Sequence, residues 1–317
     1  MITPNRKAGF FFLLLIMGGP LCVTGAETSE YNGFDVAGGL IDPLDIYHKG
    51  PERDGIPAID HPRFLAGSAR QGALDPDERV MGVVYNGIAK AYPIRILDQH
   101  EIVNDWFLDT PVTVTFCPLC GTGMVFLAEV GDRTLQFGVS GLLFNNDMLL
   151  YDRTTESLWS QIMRTAVTGP LQGEQLTQVP AQHTTWGGWL KRHPESLLLS
   201  RDTGFRRDYD AEPYYDYKRL PMIVFPTVHQ DLRIPGKSWV VGIALEDEAL
   251  AIPFEQLDKL DGALRLAVGG TELDIHWDRA SSSARAFTLA GDEVPTTSGY
   301  WFAWVAFYPR TTLHNPD

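Results

Sequence analysis

Cysteine is scarce in this chain, with three among 317 residues. That excludes a disulfide scaffold as the basis of the fold. Positive charge is scarce as well. Lys and Arg total 26 against 40 Asp and Glu, for a net charge of −14. Such a balance excludes a protein that coats DNA or RNA, which needs clustered cations against phosphate, so no nucleic-acid partner is expected. It equally excludes a polybasic membrane anchor. No apolar run reaches the roughly 20 residues that a membrane-spanning helix needs. Sequons of the form Asn-X-Ser/Thr are absent, as are a phosphate-binding P-loop and a GxGxxG opening a helix. In Gly138-Val139-Ser140-Gly141-Leu142, the leucine breaks the GxSxG nucleophile pattern.

The chain is otherwise well supplied for a core, with 44% hydrophobic and 21% charged residues. Its first 26 residues read as a cleavable export signal. Arg6 and Lys7 precede a ten-residue apolar stretch at 8–17, and small residues lead to Ala26. Lipid attachment at Cys22 is the weaker alternative, because Gly19-Pro20-Leu21 lacks the small residues that usually precede a lipidated cysteine. Cleavage removes two basic residues and Cys22, leaving 24 basic against 40 acidic residues, a charge of −16. A periplasmic or secreted chain without a transmembrane span is expected. It holds two cysteines, Cys117 and Cys120, in a setting where free thiols are usually oxidised or metal-bound.

Residues 27–55 are rich in Gly, Pro and acidic side chains without periodicity, and read as an irregular arm. Within 80–94, Asn86-Gly87 separates two apolar runs, which predicts a tight hairpin. The stretch 97–107 reads as one short helix with Ile102 and Phe107 inward. Strands are predicted at 112–116, 124–130, 134–139 and 145–152, and a short helix at 184–194 ended by Pro194. Residues 201–219 are polar and carry Tyr209, Tyr214, Tyr215 and Tyr217, which marks a linker or crossing segment.

An internal repeat is visible. Val80, Gly82, Ala89, Ala91, Pro93, Leu97 and Asp98 match Val240, Gly242, Ala249, Ala251, Pro253, Leu257 and Asp258 without a gap. The strands downstream recur, with Trp277 and Ala280 where the two cysteines would fall. The expected fold is therefore α+β and β-rich, built from two related β units with few short helices. The first unit spans 56–200, the segment 201–237 crosses between them, and a second, degenerate unit spans 238–317.

Chemistry concentrates in Cys117-Pro118-Leu119-Cys120-Gly121, between two strands. Two thiolates at this spacing can take half of a tetrahedral metal site. No second Cys pair exists to complete a zinc ribbon, so other ligands must finish the site. His100 is the obvious third ligand. The stretch His100-Glu101-Ile102-Val103-Asn104 begins like the zinc-protease HExxH, but Asn104 stands in place of its second His. Copper or zinc suits such a set, with Met124 a soft neighbour that equally reads as core. Glu101, Asn104, Ser140, Asp147, Asp152, Trp159 and Gln161 are candidates for lining the pocket, or for local turn chemistry. Two alternatives stay open. The Cys pair acts in thiol–disulfide exchange, or it is a structural staple in a binding module. Whether the chain is an enzyme, and which small molecule or protein it meets, is not legible.

The run HEIVNDWFLDTPVTVTFCPLCGTGMVF followed by LQFGVSGLLFNNDMLLYDRTTESLWSQ resembles the bacterial family catalogued as domain of unknown function 3179. The resemblance covers about 56–310. It implies an exported β-rich domain, and places His100, Asn104, Cys117, Cys120, Ser140, Asp147, Tyr151, Asp152, Trp159 and Gln161 in the family pattern. Phe116, Phe144 and Asn146 stand where the family motifs often have Tyr, Tyr and Ser.

Overall fold

The computed structural model describes residues 30–314, so the leader at 1–26 and Cys22 lie outside the described residues. The fold is β-rich with few short helices, and it contains two related units. In the first unit, strands Arg79–Tyr85 and Ile88–Pro93 pair antiparallel, Gly82 opposite Ala91. The turn between them puts Asn86 at φ 47° and Gly87 at φ 76°, the left-handed pair that a two-residue hairpin requires. Helix Ile94–His100 follows. In the second unit, Trp239–Leu245 and Glu248–Pro253 pair with Gly242 opposite Ala251, and helix Phe254–Leu257 follows.

Each hairpin is completed by later chain in the same way. Ala181–Thr185 joins the edge of the first, helix Trp186–Arg192 crosses over, and Leu197–Leu199 returns parallel to Ile88–Pro93. Thr297–Tyr300, helix Trp301–Phe307 and Thr312–Leu313 repeat this in the second unit. Trp189 and Trp304 sit in equivalent places. Their indole N–H groups donate to Ser196 Oγ at 2.7 Å and Thr311 Oγ1 at 2.9 Å.

Each unit carries a second sheet. In the first it is Ile102–Phe107, Thr110–Cys117, Thr122–Leu127 and Gln178–Val179. In the second it is Leu264–Val268, Thr271–Asp278, Ser283–Thr288 and Glu293–Val294. The first unit also inserts a fifth sheet before Gln178–Val179, with Phe137–Phe144 and Asp147–Asp152 at its centre. The five sheets are arranged like a five-blade propeller.

Two local readings change. The helix does not run from 97 to 107. It ends at His100, Glu101 turns at φ 59°, and Ile102 starts a strand, where β-branched Ile102 and Val103 fit a pleated, buried surface. The arm is also not wholly irregular. It forms a two-strand ribbon at Glu30–Tyr31 and Phe34–Asp35, and Ile46–Tyr47 pairs with Leu143–Phe144 as an edge strand of the inserted sheet. Between 201 and 237 the one helix is Tyr215–Arg219. No helix among the described residues is long and apolar enough to cross a membrane.

Candidate metal centre

Strand Thr110–Cys117 delivers Cys117 at its end, and the chain reverses through Cys120 into strand Thr122–Leu127, with Cys117 paired to Thr122. Gly121 closes the turn at φ 67°, where a Cβ would lie 2.8 Å from the Trp239 ring. Glycine therefore satisfies both the left-handed backbone and the close approach of the second unit. The turn is clamped from outside. Tyr217 donates its hydroxyl to the Leu119 carbonyl at 2.9 Å, and Tyr300 donates its backbone N–H to the Cys120 carbonyl at 2.8 Å.

Asp147 reaches the cysteines from the inserted sheet. The turn Asn145-Asn146, both at positive φ, precedes it. Ligand atoms of Cys117, Cys120 and Asp147 all lie within 4.8 Å of one another, and all three residues are buried. Both cysteines are free thiols. Asp147 Oδ2 accepts from the Ile162 N–H at 3.1 Å, whereas its buried Oδ1 has no hydrogen-bond partner. Burial pushes the Asp147 carboxyl up to about 7, against the pull of the Ile162 and Met148 N–H groups; the Cys117 thiol and Thr122 hydroxyl lie nearby but donate elsewhere, to the Asn146 carbonyl and to Gln161 Oε1. Glu101 is pushed up to about 8 by burial and by the negative charges of Asp147 and Asp98. Burial raises both thiols too, with Asp147 adding to the rise at each. Four acidic groups thus share a dry region, and each is held toward its protonated form. A multivalent cation reverses that preference, because it is the charge the region lacks.

The expected Cys–Cys–His set changes here. His100 is fully buried, but both its ring nitrogens are engaged elsewhere. Nδ1 is 2.8 Å from the Pro57 carbonyl and Nε2 is 2.7 Å from the Tyr209 hydroxyl. The group beside the sulfurs is Asp147.

The remaining candidates divide by what they touch. Gln161 lies under the site. It accepts from the Thr122 hydroxyl at 2.8 Å and donates to Thr115 Oγ1 at 2.8 Å, which fixes the two strands that carry the cysteines. Met124 is buried in the same apolar cluster as both cysteines. Asn104 ties sheets together through Asp60 and the backbone of Phe137. Ser140 bonds the Leu149 carbonyl and the Leu142 N–H inside the inserted sheet. Asp152 organises its own turn by accepting from the Thr154 and Thr155 N–H groups, and it takes the Trp159 indole N–H at 3.1 Å. Three residues around the centre carry no motif that would single them out: Asp98, Tyr217 and Lys218. Asp98 holds Lys218 at 2.6 Å on the crossing segment. Only the tyrosine density at 209–217 signals that this segment packs on the body.

The model of the family described as "Protein of unknown function (DUF3179)" matches residues 53–294. No curated protein matches the chain, and no solved structure does.

Proposed function

The chain belongs to that family of unknown function, and we propose that it is an exported metal-binding protein whose ion is held by Cys117, Cys120 and Asp147. Export is inferred from the leader at 1–26. One observation supports the metal reading above the rest: three buried ligand atoms lie within 4.8 Å of one another, and the carboxylate among them has an oxygen without a partner. A buried oxygen of this kind ordinarily meets a water or an ion, and the two sulfurs beside it favour the ion. Two thiolates with one carboxylate favour zinc, a borderline ion that accepts sulfur and oxygen alike. Copper(I) prefers an all-sulfur or sulfur–imidazole set. Glu101 is buried and feels the charge of Asp147, so its carboxyl would help to balance the charge of the ion.

Thiol–disulfide exchange is the weaker reading. Reactive thiols sit in electropositive, partly exposed places that lower their pKa, whereas burial raises both of these.

The test is metal analysis of the mature chain after loading with zinc and, separately, copper, followed by removal of free ion. Wild type should retain about one ion per chain, and Cys117→Ser/Cys120→Ser none. Wild type that retains neither metal overturns the proposal.

A further inference from the structure

A second place in the molecule has the chemistry of a ligand site, and it does not depend on the metal reading. A cavity of about 360 Å³ opens between the two units. That is within the range of small-molecule sites, at its lower end. Phe116 from the first unit and Trp239, Phe254 and Tyr300 from the second wall it. The Trp239 ring centroid lies 4.8 Å from that of Tyr300 and 5.8 Å from that of Phe254.

The polar groups are few and carry a specific charge. Arg79 donates to the carbonyls of Ser281, His183 and Ser282 at 2.5, 2.7 and 3.2 Å. Carbonyls hold the guanidinium in place but do not neutralise it, and no carboxylate among the described residues pairs with it. Desolvation by burial lowers Arg79 to about 10, so it stays cationic at neutral pH. Lys218 also borders the cavity, but Asp98 takes up its charge at 2.6 Å. The cavity is left with one uncompensated positive charge. Beside it, His183 is 9% exposed and its Nδ1 has no hydrogen-bond partner. Burial, Arg79 and Lys218 all disfavour its protonation, so it offers a neutral imidazole.

We propose that this cavity binds a small organic carboxylate with a flat apolar body, the carboxylate facing Arg79 and the body lying against Trp239 and Phe254. A single cation suits a monoanion, and the aromatic walls suit a ring. A phosphate ester, with up to two charges, would find one guanidinium where it needs several donors. A cationic ligand would meet Arg79 unscreened.

Ligand-observed NMR on the metal-free mature chain tests this, with benzoate, phenylacetate and cinnamate as probes and benzamide as the uncharged control for benzoate. At least one carboxylate should bind saturably. Benzoate should bind at least about tenfold more tightly than benzamide, the size of a charge-assisted hydrogen bond. Arg79→Gln should remove that preference. Comparing benzoate with benzamide on wild type needs no variant, so the proposal stays testable if Arg79→Gln does not fold. It is overturned if none of the carboxylates saturates by about 10 mM, well above a millimolar Kd. Equal binding of benzoate and benzamide overturns it too, as does an unchanged preference in folded Arg79→Gln.

Discussion

Nε2 of His100 lies 2.7 Å from the hydroxyl of Tyr209, so the histidine 17 residues before Cys117 holds down the crossing segment. The Tyr209 hydroxyl also meets Thr203 Oγ1 at 2.6 Å, which closes a small buried network. The ring of Phe205, from the same segment, lies 5.3 Å from that of His100. His100→Gln should therefore leave metal affinity within a few fold of wild type while loosening the segment 201–219. Asp147→Ala should lower affinity by about tenfold or more, as loss of a direct ligand does. Competition with a chromogenic chelator measures both. Equal losses in the two variants would contradict the assignment of Asp147 as ligand and His100 as clamp.

Gly82 and Trp189 make a contact that the second unit reproduces with Gly242 and Trp304. A Cβ at either glycine would fall 2.3 Å from the indole, with no room for it. The ring cannot retreat, because its N–H is bonded to Ser196 or Thr311. Gly82→Ala and Gly242→Ala should each cost about 1–3 kcal/mol or more by overpacking. Denaturant melts give the comparison. Shrinking the ring in Gly82→Ala/Trp189→Leu should recover part of the loss relative to Trp189→Leu alone, and no recovery would argue against direct contact.

Lys90 and Asp105 form an ion pair out of water. Nζ lies 2.7 Å from Oδ2 and 2.8 Å from the Trp106 carbonyl, and both side chains are 7% exposed. Tyr92 donates to the same Oδ2 at 2.6 Å, while Phe64 and Phe107 cover the ammonium. Lys90→Met leaves a buried carboxylate unpaired and should cost about 3–5 kcal/mol. The double change Lys90→Met/Asp105→Asn should cost less than the sum of the single changes in a double-mutant cycle. Strict additivity would mean that the pair is not coupled.

Much of this architecture was readable where the signal is local. Asn86-Gly87 announces its own hairpin, and the matched positions in 80–98 and 240–258 fold in the same register. The Cys117–Cys120 turn was legible too, because its residues are contiguous. Two features escaped for physical reasons, and Asp147 was legible only as a candidate for the pocket lining. The end of the helix at His100 depends on a left-handed Glu101, a conformation that no residue type announces reliably. The second half of the duplication, with Trp186 and Trp189 against Trp301 and Trp304, recurs at a different spacing because the inserted sheet lengthens the first unit. Asp147 comes to the cysteines from another sheet, a long-range contact that its own neighbours do not encode.

His183 gives a pH dependence whose sign can be worked out. Burial first, then the charges of Arg79 and Lys218, hold its folded pKa well below the ordinary 6.5. Phe116 and Trp239, the rings against it, do not titrate. As pH falls through about 6.5, the unfolded chain takes up a proton here that the folded chain refuses, so stability is lost on acidification and restored above that pH. His183→Gln removes this term. The stability of the variant relative to wild type should therefore shift in the variant's favour by on the order of 1 kcal/mol between pH 8 and pH 5.5. Taking the difference cancels the other buried histidines, whose contributions both proteins share. Urea melts of metal-free protein at the two pH values measure it. An unchanged difference would show that His183 binds its proton in the folded state, and so does not remain a neutral donor or acceptor in the cavity wall.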